Sequence, residues 1–403
     1  MTDGSPCYGN FSPLASKESQ TRLEPEMRPR NSSNRLFFRV IAIALCGLTC
    51  LAAAQTAPTR RPKGPGKIVV RPKFGGPISG YDIDQNGTEG VLTEFKPLKN
   101  GYLSAVETFD QKTGRILKVI AKTDPGAGDV LIGIVGTSTA IVEHEQNAAH
   151  GAKRTWYLIS PLDANKYTGL WHPPHFDNND FTFGVSRDQG AAHAAFMALH
   201  NIYPGATNFA FSEDMAKYTF GKEIVMTNPN FEPFSEPAFA FDVKTNTGVL
   251  ASEGGGRESS PKIGLVNLVT GKFRDFPGLG TGGVYGIAVD SDDGIACTTT
   301  GDANVEFYDL KTQTGFIESL PGGGGQPHSG FDVEFDPIHK LFLIFQASGI
   351  GDDSYIQVYD PKGNLVDSIN FGPRNHYGGY IALQPKQRSG FLGEGPVIRS
   401  FTY

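Results

Sequence analysis

Residues 284–320 read VYGIAVDSDDGIACTTTGDANVEFYDLKTQTGFIESL, and this stretch decides the fold. Val305 and Phe307 flank Glu306, the two-residue period of a strand with one packed side. Four strands are expected, at 285–289, 294–299, 304–308 and 315–320. Between the third and fourth comes DLKTQTG, residues 309–315, where Asp and Gly supply turn conformations that most residues resist.

The unit recurs. The end of its first strand and the following turn return as Phe241-Asp242, Val289-Asp290, Phe335-Asp336 and Leu383-Gln384, at spacings of 48, 46 and 48. Looser copies precede them at Ile83-Asp84, Val135-Gly136 and Val185-Ser186. The later turn recurs as FDQKTG at 109–114, VNLVTG at 266–271 and YDPKG at 359–363. FDVEF at 331–335 repeats the alternation. Seven first hairpins fit between residues 80 and 403, so the expected fold is all-β: a seven-bladed β-propeller of four-stranded antiparallel blades. Radial packing suits this length, because each sheet buries its faces on its neighbours where one large core stops growing. Residues 193–203, inside the third unit, fit the pattern poorly. The last unit is a strand short, with only 397–403 remaining after its hairpin. KIVVR at 67–71 is expected to supply the outer strand, close the ring and cover an exposed edge.

The segment GIAVDSDDGIACTTTGDANVEFYDLKTQTGFIESLP resembles a blade of the bacterial YVTN-type and lactonase-like propeller repeats. The resemblance extends across residues 237–403 and more loosely across 79–230, although the literal YVTN tetrapeptide is absent. It implies the fold and leaves function open, since such rings host binding proteins, lactonases and scaffolds alike. No lactonase active-site residue can be matched one for one.

The ends of the chain carry addressing information. The long apolar run at 36–54 contains Arg39, and its uninterrupted part, 40–54, is too short for an ordinary membrane-spanning helix. Arg28, Arg30, Arg35 and Arg39 lead into it and Ala52-Ala53-Ala54 ends it, the parts of a secretory signal cleaved after Ala54. A start at Met27 gives a more ordinary signal length, and lipidation at Cys50 is the weaker alternative because Thr49 is bulky. The expected protein is therefore exported, periplasmic or extracellular, with no transmembrane span in its mature chain. Removing residues 1–54 leaves 349 residues, a formal charge of −8 and, of four cysteines, only Cys297. That excludes an intramolecular disulfide and offers nothing to attract nucleic acid. Residues 55–66, QTAPTRRPKGPG, read as a flexible tether whose basic charges suit an anionic surface in the alternative reading. Residues 67–403 are the propeller, expected to be monomeric.

Candidate chemistry is sparse. Asp82, Asp84 and Asn86, followed by Gly87, match the opening of a calcium loop, but its twelfth position is Thr93, with Glu94 one place late. The same residues equally make a tight Asn-Gly hairpin turn. His328 and His376 are 48 apart, each eight residues before a repeat marker and just ahead of a first strand. Both are expected at one mouth of the central channel, as are Asp332, Glu236 and the loop carrying His172, His175 and Asp177. Imidazoles beside a carboxylate suit a transition metal or proton transfer; the alternative is polar loop residues bonding their own turns. Other motifs fail. The glycines at 278, 280 and 283 lead into a strand rather than a helix, and Gly322 to Gly325 lack the Lys of a phosphate loop. His144-Glu145 has no histidine in register, and no G-x-S-x-G exists. Cys297 reads as a small buried hydrophobe. The first functional reading is a binding or interaction module for a small molecule, glycan or protein. The second is a lactonase-like or metal-assisted hydrolase or isomerase, in which a divalent cation polarises a carbonyl and activates a water.

Overall fold

The computed structural model describes residues 63–403 apart from 86, 100, 124–126, 136–138, 149–150, 160–166, 172–179, 186–192, 201–207, 215–218, 227–237, 252–260, 281–282, 322–328, 349–350 and 375–378. The expected signal and most of the tether lie outside this range. Strand β1 (Gly64–Val70) is followed by an antiparallel sheet, in chain order, of β2 (Ile78–Ile83), β3 (Glu89–Leu98), β4 (Gly101–Asp110) and β5 (Ile116–Thr123). The same meander returns as β6 (Ala127–Val135), β7 (Thr139–Ala148), β8 (Gly151–Ile159) and β9 (Tyr167–Trp171). It returns again as β10 (Asp180–Val185), β11 (His193–His200), β12 (Asn208–Asp214) and β13 (Thr219–Met226). Next come β14 (Ala238–Asp242), β15 (Thr247–Ala251), β16 (Lys262–Asn267) and β17 (Phe273–Pro277). The decisive sequence stretch folds as β18 (Val284–Asp290), β19 (Ile295–Thr300), β20 (Asn304–Asp309) and β21 (Thr314–Ser319), within a residue or so of the expected bounds.

A further sheet holds β22 (Ser329–Asp336), β23 (Leu341–Ala347), β24 (Asp353–Tyr359) and β25 (Leu365–Pro373). The chain ends with β26 (Tyr380–Gln384), β27 (Ser389–Glu394) and β28 (Val397–Thr402), and their fourth strand is β1. Gly64 pairs with Thr402 and Val70 with Ile398, antiparallel across a bulge. The strand thus begins at Gly64, inside the stretch read as tether, because the Pro-Gly segment already has the extended backbone that pairing needs. Residues 193–200, which fit the repeat poorly, are nonetheless β11. The only described helix is a single 3-10 turn at Pro385–Gln387.

One turn chemistry connects six of the described hairpins. Asp110 Oδ1 accepts the Lys112 and Thr113 amides and the Thr113 hydroxyl, and Asn267 does the same for Val269 and Thr270. Asp242, Asp290, Asp309 and Asp336 each accept the amides two and three residues on. The fourth residue after the Asx takes positive φ: Gly114, Asn246, Gly271, Gly294, Gln313 and Lys340. These side chains mimic a backbone turn, which is why Asp and Asn recur there. The Thr113 hydroxyl and amide hold the Asp110 carboxyl below its ordinary range, and the Thr312 amide does so for Asp309.

The core lies between sheets. One cluster joins Val249, Ile263 and Leu265 to Ile287 and Tyr308; the next joins Cys297, Val305 and Phe307 to Phe342 and Ile344. A third joins Leu343, Phe345 and Ile356 to Ile381, Leu392 and Phe401. The fourth unites the first sheet with the last: Tyr81, Ile83, Leu92 and Phe109 pack on Val70, Ala382, Phe391 and Ile398. Each such fully buried side chain contributes about 1.5–3 kcal/mol. First strands follow one another in contact: β2 on β6, β6 on β10, β10 on β14, β14 on β18, β18 on β22, β22 on β26, and β26 on β2.

Turns of neighbouring sheets are also tied. Lys340 Nζ reaches Asp290 at 2.8 Å and Asp292 at 2.7 Å, and Lys244 Nζ reaches the Asp292 carbonyl at 3.2 Å. Tyr403 donates its hydroxyl to Asp336 at 2.7 Å, and Gln384 bonds Gln111, which in turn donates to the Asp84 carbonyl at 2.9 Å. Of the residues read as repeat markers, Asp290 and Asp336 each bond a side chain of a neighbouring sheet, and Gln384 reaches Asp84 through Gln111.

Candidate functional site

Most residues singled out from the sequence, namely His172, His175, Asp177, Glu236, His328 and His376, lie outside the described residues. Asp332 is described, and it is committed to the backbone. Its Oδ1 accepts the Val333 amide at 3.0 Å and its Oδ2 accepts the Ile381 amide of the neighbouring first strand at 2.7 Å. Through these two bonds Asp332 ties β22 to β26.

The calcium-loop candidate is the β2–β3 turn. Asp82 sits on β2 and its Oδ1 accepts the Ile83 amide at 2.8 Å, while the Asp84 amide donates to the Glu89 carbonyl at 3.0 Å. Asn86 lies outside the described residues. The twelfth position, Thr93, bonds Ser79 and the Gly80 carbonyl, and both Glu94 oxygens accept amides of the β1–β2 connection. The residues that would complete the loop are engaged elsewhere, and the hairpin reading describes the geometry better. Among the described residues, no group of three or more His, Cys, Asp or Glu is placed to hold a metal ion.

An aromatic row stands at the start of adjoining first strands. Tyr285 and Phe331 occupy equivalent bulges, between Val284 and Gly286 and between Gly330 and Asp332, and a bulge re-aims the side chain it carries. Their ring centroids are 5.8 Å apart, and Phe331 continues inward to Phe345 at 6.0 Å. Tyr380, near the same position on β26, is 50% exposed, and Tyr285 is 47% exposed. The buried Arg374, on the connection that carries His376, lays its guanidinium over Phe331 at 5.3 Å and Phe345 at 5.9 Å. Gly379 follows it, where a Cβ would overlap the Phe345 ring. The row steps from solvent to core. Its signal in the sequence was an aromatic pair 46 residues apart, the repeat spacing itself.

The sequence reading also missed a set of buried or half-buried polar residues. Leu92 pairs with Glu107, Thr298 with Glu306, Ile344 with Gln357 and Leu392 with Arg399, one equivalent third-strand place in four sheets. In three sheets the place helps to hold the connection arriving from the previous sheet, and in the last it reaches strand β25 of that sheet. Glu107 accepts the Lys73 amide at 2.9 Å, and Glu94 accepts those of Phe74 at 2.9 Å and Gly76 at 2.8 Å. Glu306 bonds Tyr308, whose hydroxyl accepts the Leu279 amide at 3.0 Å. Gln357 donates to Gln346, which donates to the Pro321 carbonyl at 2.9 Å. Arg399 pairs with Glu394 and donates to the Phe371 carbonyl at 3.1 Å. Burial pushes the Glu306 carboxyl up, against the pull of the Tyr308 and Thr298 hydroxyls. Cys297 is fully buried and its thiol is pushed well up by burial, as expected of an inert core residue.

Comparison with protein-family models and with curated proteins found no match.

Proposed function

We propose that this chain is an exported seven-bladed propeller, closed by β1, that binds a small molecule, glycan or protein at the end where its inter-sheet connections gather. The observation that carries the binding reading is the row Tyr285, Phe331 and Tyr380. Two half-exposed tyrosines beside a half-buried phenylalanine offer flat apolar faces with polar edges, and such faces stack on sugar or aromatic rings. The ring reading is supported by the succession of first-strand contacts and by the pairing of β1 with β28. The acidic partner of a metal-assisted hydrolase gains no such support, because Asp332 is held by two amides.

The test is a thermal-shift screen of residues 55–403 against a panel of oligosaccharides and aromatic metabolites, repeated on the Tyr285→Ala/Tyr380→Ala double variant. A hit that the double variant binds about tenfold or more weakly, a loss of roughly 1.4 kcal/mol or more, supports the site. A hit that it binds unchanged refutes it. Elemental analysis of the wild type and of the His328→Ala/His376→Ala variant separates the hydrolase reading, which requires stoichiometric metal that the variant loses.

A further inference from the structure

The connection between β1 and β2 is held unlike any other described here. Three of its amides, from Lys73, Phe74 and Gly76, point at two carboxyls on neighbouring strands, Glu107 and Glu94. Both residues are fully buried. Glu94 uses both oxygens as acceptors. Glu107 uses Oε2 alone; its buried Oε1 has no hydrogen-bond partner of good geometry, and the carboxyl beside it is that of Glu94. Two adjacent carboxyls out of water do not both ionise.

We propose that Glu94 and Glu107 form a one-proton clasp on the β1–β2 connection, so that the seam between the first and last sheets tightens in acid and loosens as the proton leaves.

Lys73 is the cation that bears on Glu107 from the connection. Lys96 of β3 is occupied by the Phe74 carbonyl at 2.7 Å, and Lys122 of β5 lies over the Phe74 ring at 5.3 Å. The other charged residues on the packed strands are Asp82 on β2, Glu89 on β3, Asp110 on β4, Lys118 on β5 and Asp129 on β6. Burial raises the Glu107 carboxyl to about 7, opposed by the Lys73 amide and reinforced by the Glu94 charge. When the clasp opens, Glu107 meets water and returns toward its ordinary value near 4.5. The closed form therefore keeps the proton across the interval between those values. Protection is highest at the acid end, falls as pH climbs from about 4.5 to about 7, and levels off above.

Hydrogen exchange of full-length mature protein, read on peptides covering 64–83 and corrected for the intrinsic pH dependence of exchange, tests this. Wild-type protection at 73–76 is expected to fall about tenfold or more between pH 5 and pH 7 and then to flatten. Glu107→Gln keeps an acceptor for the Lys73 amide and a donor toward Glu94, so its protection stays at the acid wild-type level throughout. Glu94→Gln, which also removes the like-charge pair, is expected to lose the slope and serves if Glu107→Gln does not fold. Equal wild-type protection at pH 5 and pH 7, or an undiminished slope in either variant, overturns the clasp.

Discussion

Replacing Tyr81 by Phe removes one oxygen from the seam where the first sheet meets the last. The hydroxyl lies 2.6 Å from the Tyr380 carbonyl and 2.8 Å from that of Phe391, shares its proton between them, and accepts the Gly393 amide at 3.1 Å. Tyr81 is 3% exposed, so water does not readily replace what is lost. The Gly393 amide is left without this acceptor. A buried group left unsatisfied costs about 1–3 kcal/mol, and the lost donation adds about 0.5–1.5 kcal/mol, giving about 3 kcal/mol in all. At about 2.1 cal/mol/K per residue over roughly 340 residues, unfolding entropy is about 0.7 kcal/mol/K, so the expected drop in Tm is about 4 °C. Calorimetry measures the drop, and hydrogen exchange locates it. Peptides covering 78–83 and 389–394 should lose protection while those covering β18–β21 keep theirs. A Tm within about 1 °C of wild type, or a loss spread evenly over all sheets, refutes the reasoning that this hydroxyl ties the chain's two ends.

Gly393→Ala places a methyl in the Tyr81 ring, which its hydroxyl bonds hold in place. Denaturant titration should show a loss of about 1–3 kcal/mol, smaller in the Tyr81→Phe background where the ring can shift; equal costs in both backgrounds would count against the coupling. Deleting residues 67–73 removes the buried Val70, the half-buried Ile68 and the Lys73 amide that Glu107 holds, and bares the β28 edge. Tm should fall by about 5 °C or more and the exposed edge should promote association, seen by light scattering; an unchanged Tm would sink the closing role of β1.

Local rules wrote the hairpins into the chain openly. Asp or Asn must sit where a side chain replaces a backbone acceptor, and a residue tolerant of positive φ must follow, so Asp290 and Gly294 or Asn267 and Gly271 mark their turns by identity alone. The β11 strand escaped because His193–His200 has no polar–apolar alternation: Ala, Phe and Met succeed one another. The aromatic row was half legible. Tyr285 and Phe331 share the repeat spacing, but their exposure depends on bulges that no spacing reveals. The tie made by Asp332 was not legible, because its place near the histidines in the sequence says nothing of the amide it faces across the sheet seam, Ile381.

The polar third-strand place was illegible for a different reason, and it bears on how such an array is specified. Apolar faces let neighbouring sheets slide, since dispersion and burial are nearly indifferent to register. A buried polar group is not indifferent: it must find its partner or lose the cost of desolvation, so it fixes where each connection enters its sheet. The chemistry changes from sheet to sheet: two carboxyls at Glu94 and Glu107, a carboxyl and phenol at Glu306 and Tyr308, two amides at Gln346 and Gln357, an ion pair at Glu394 and Arg399. Repeat detection averages over identity and therefore erases it. The same variation gives the seams unequal responses to conditions. The amide pair is blind to pH. The paired carboxyls change charge on approach to neutrality, and they hold the connection that leads from β1, in the last sheet, into the first sheet.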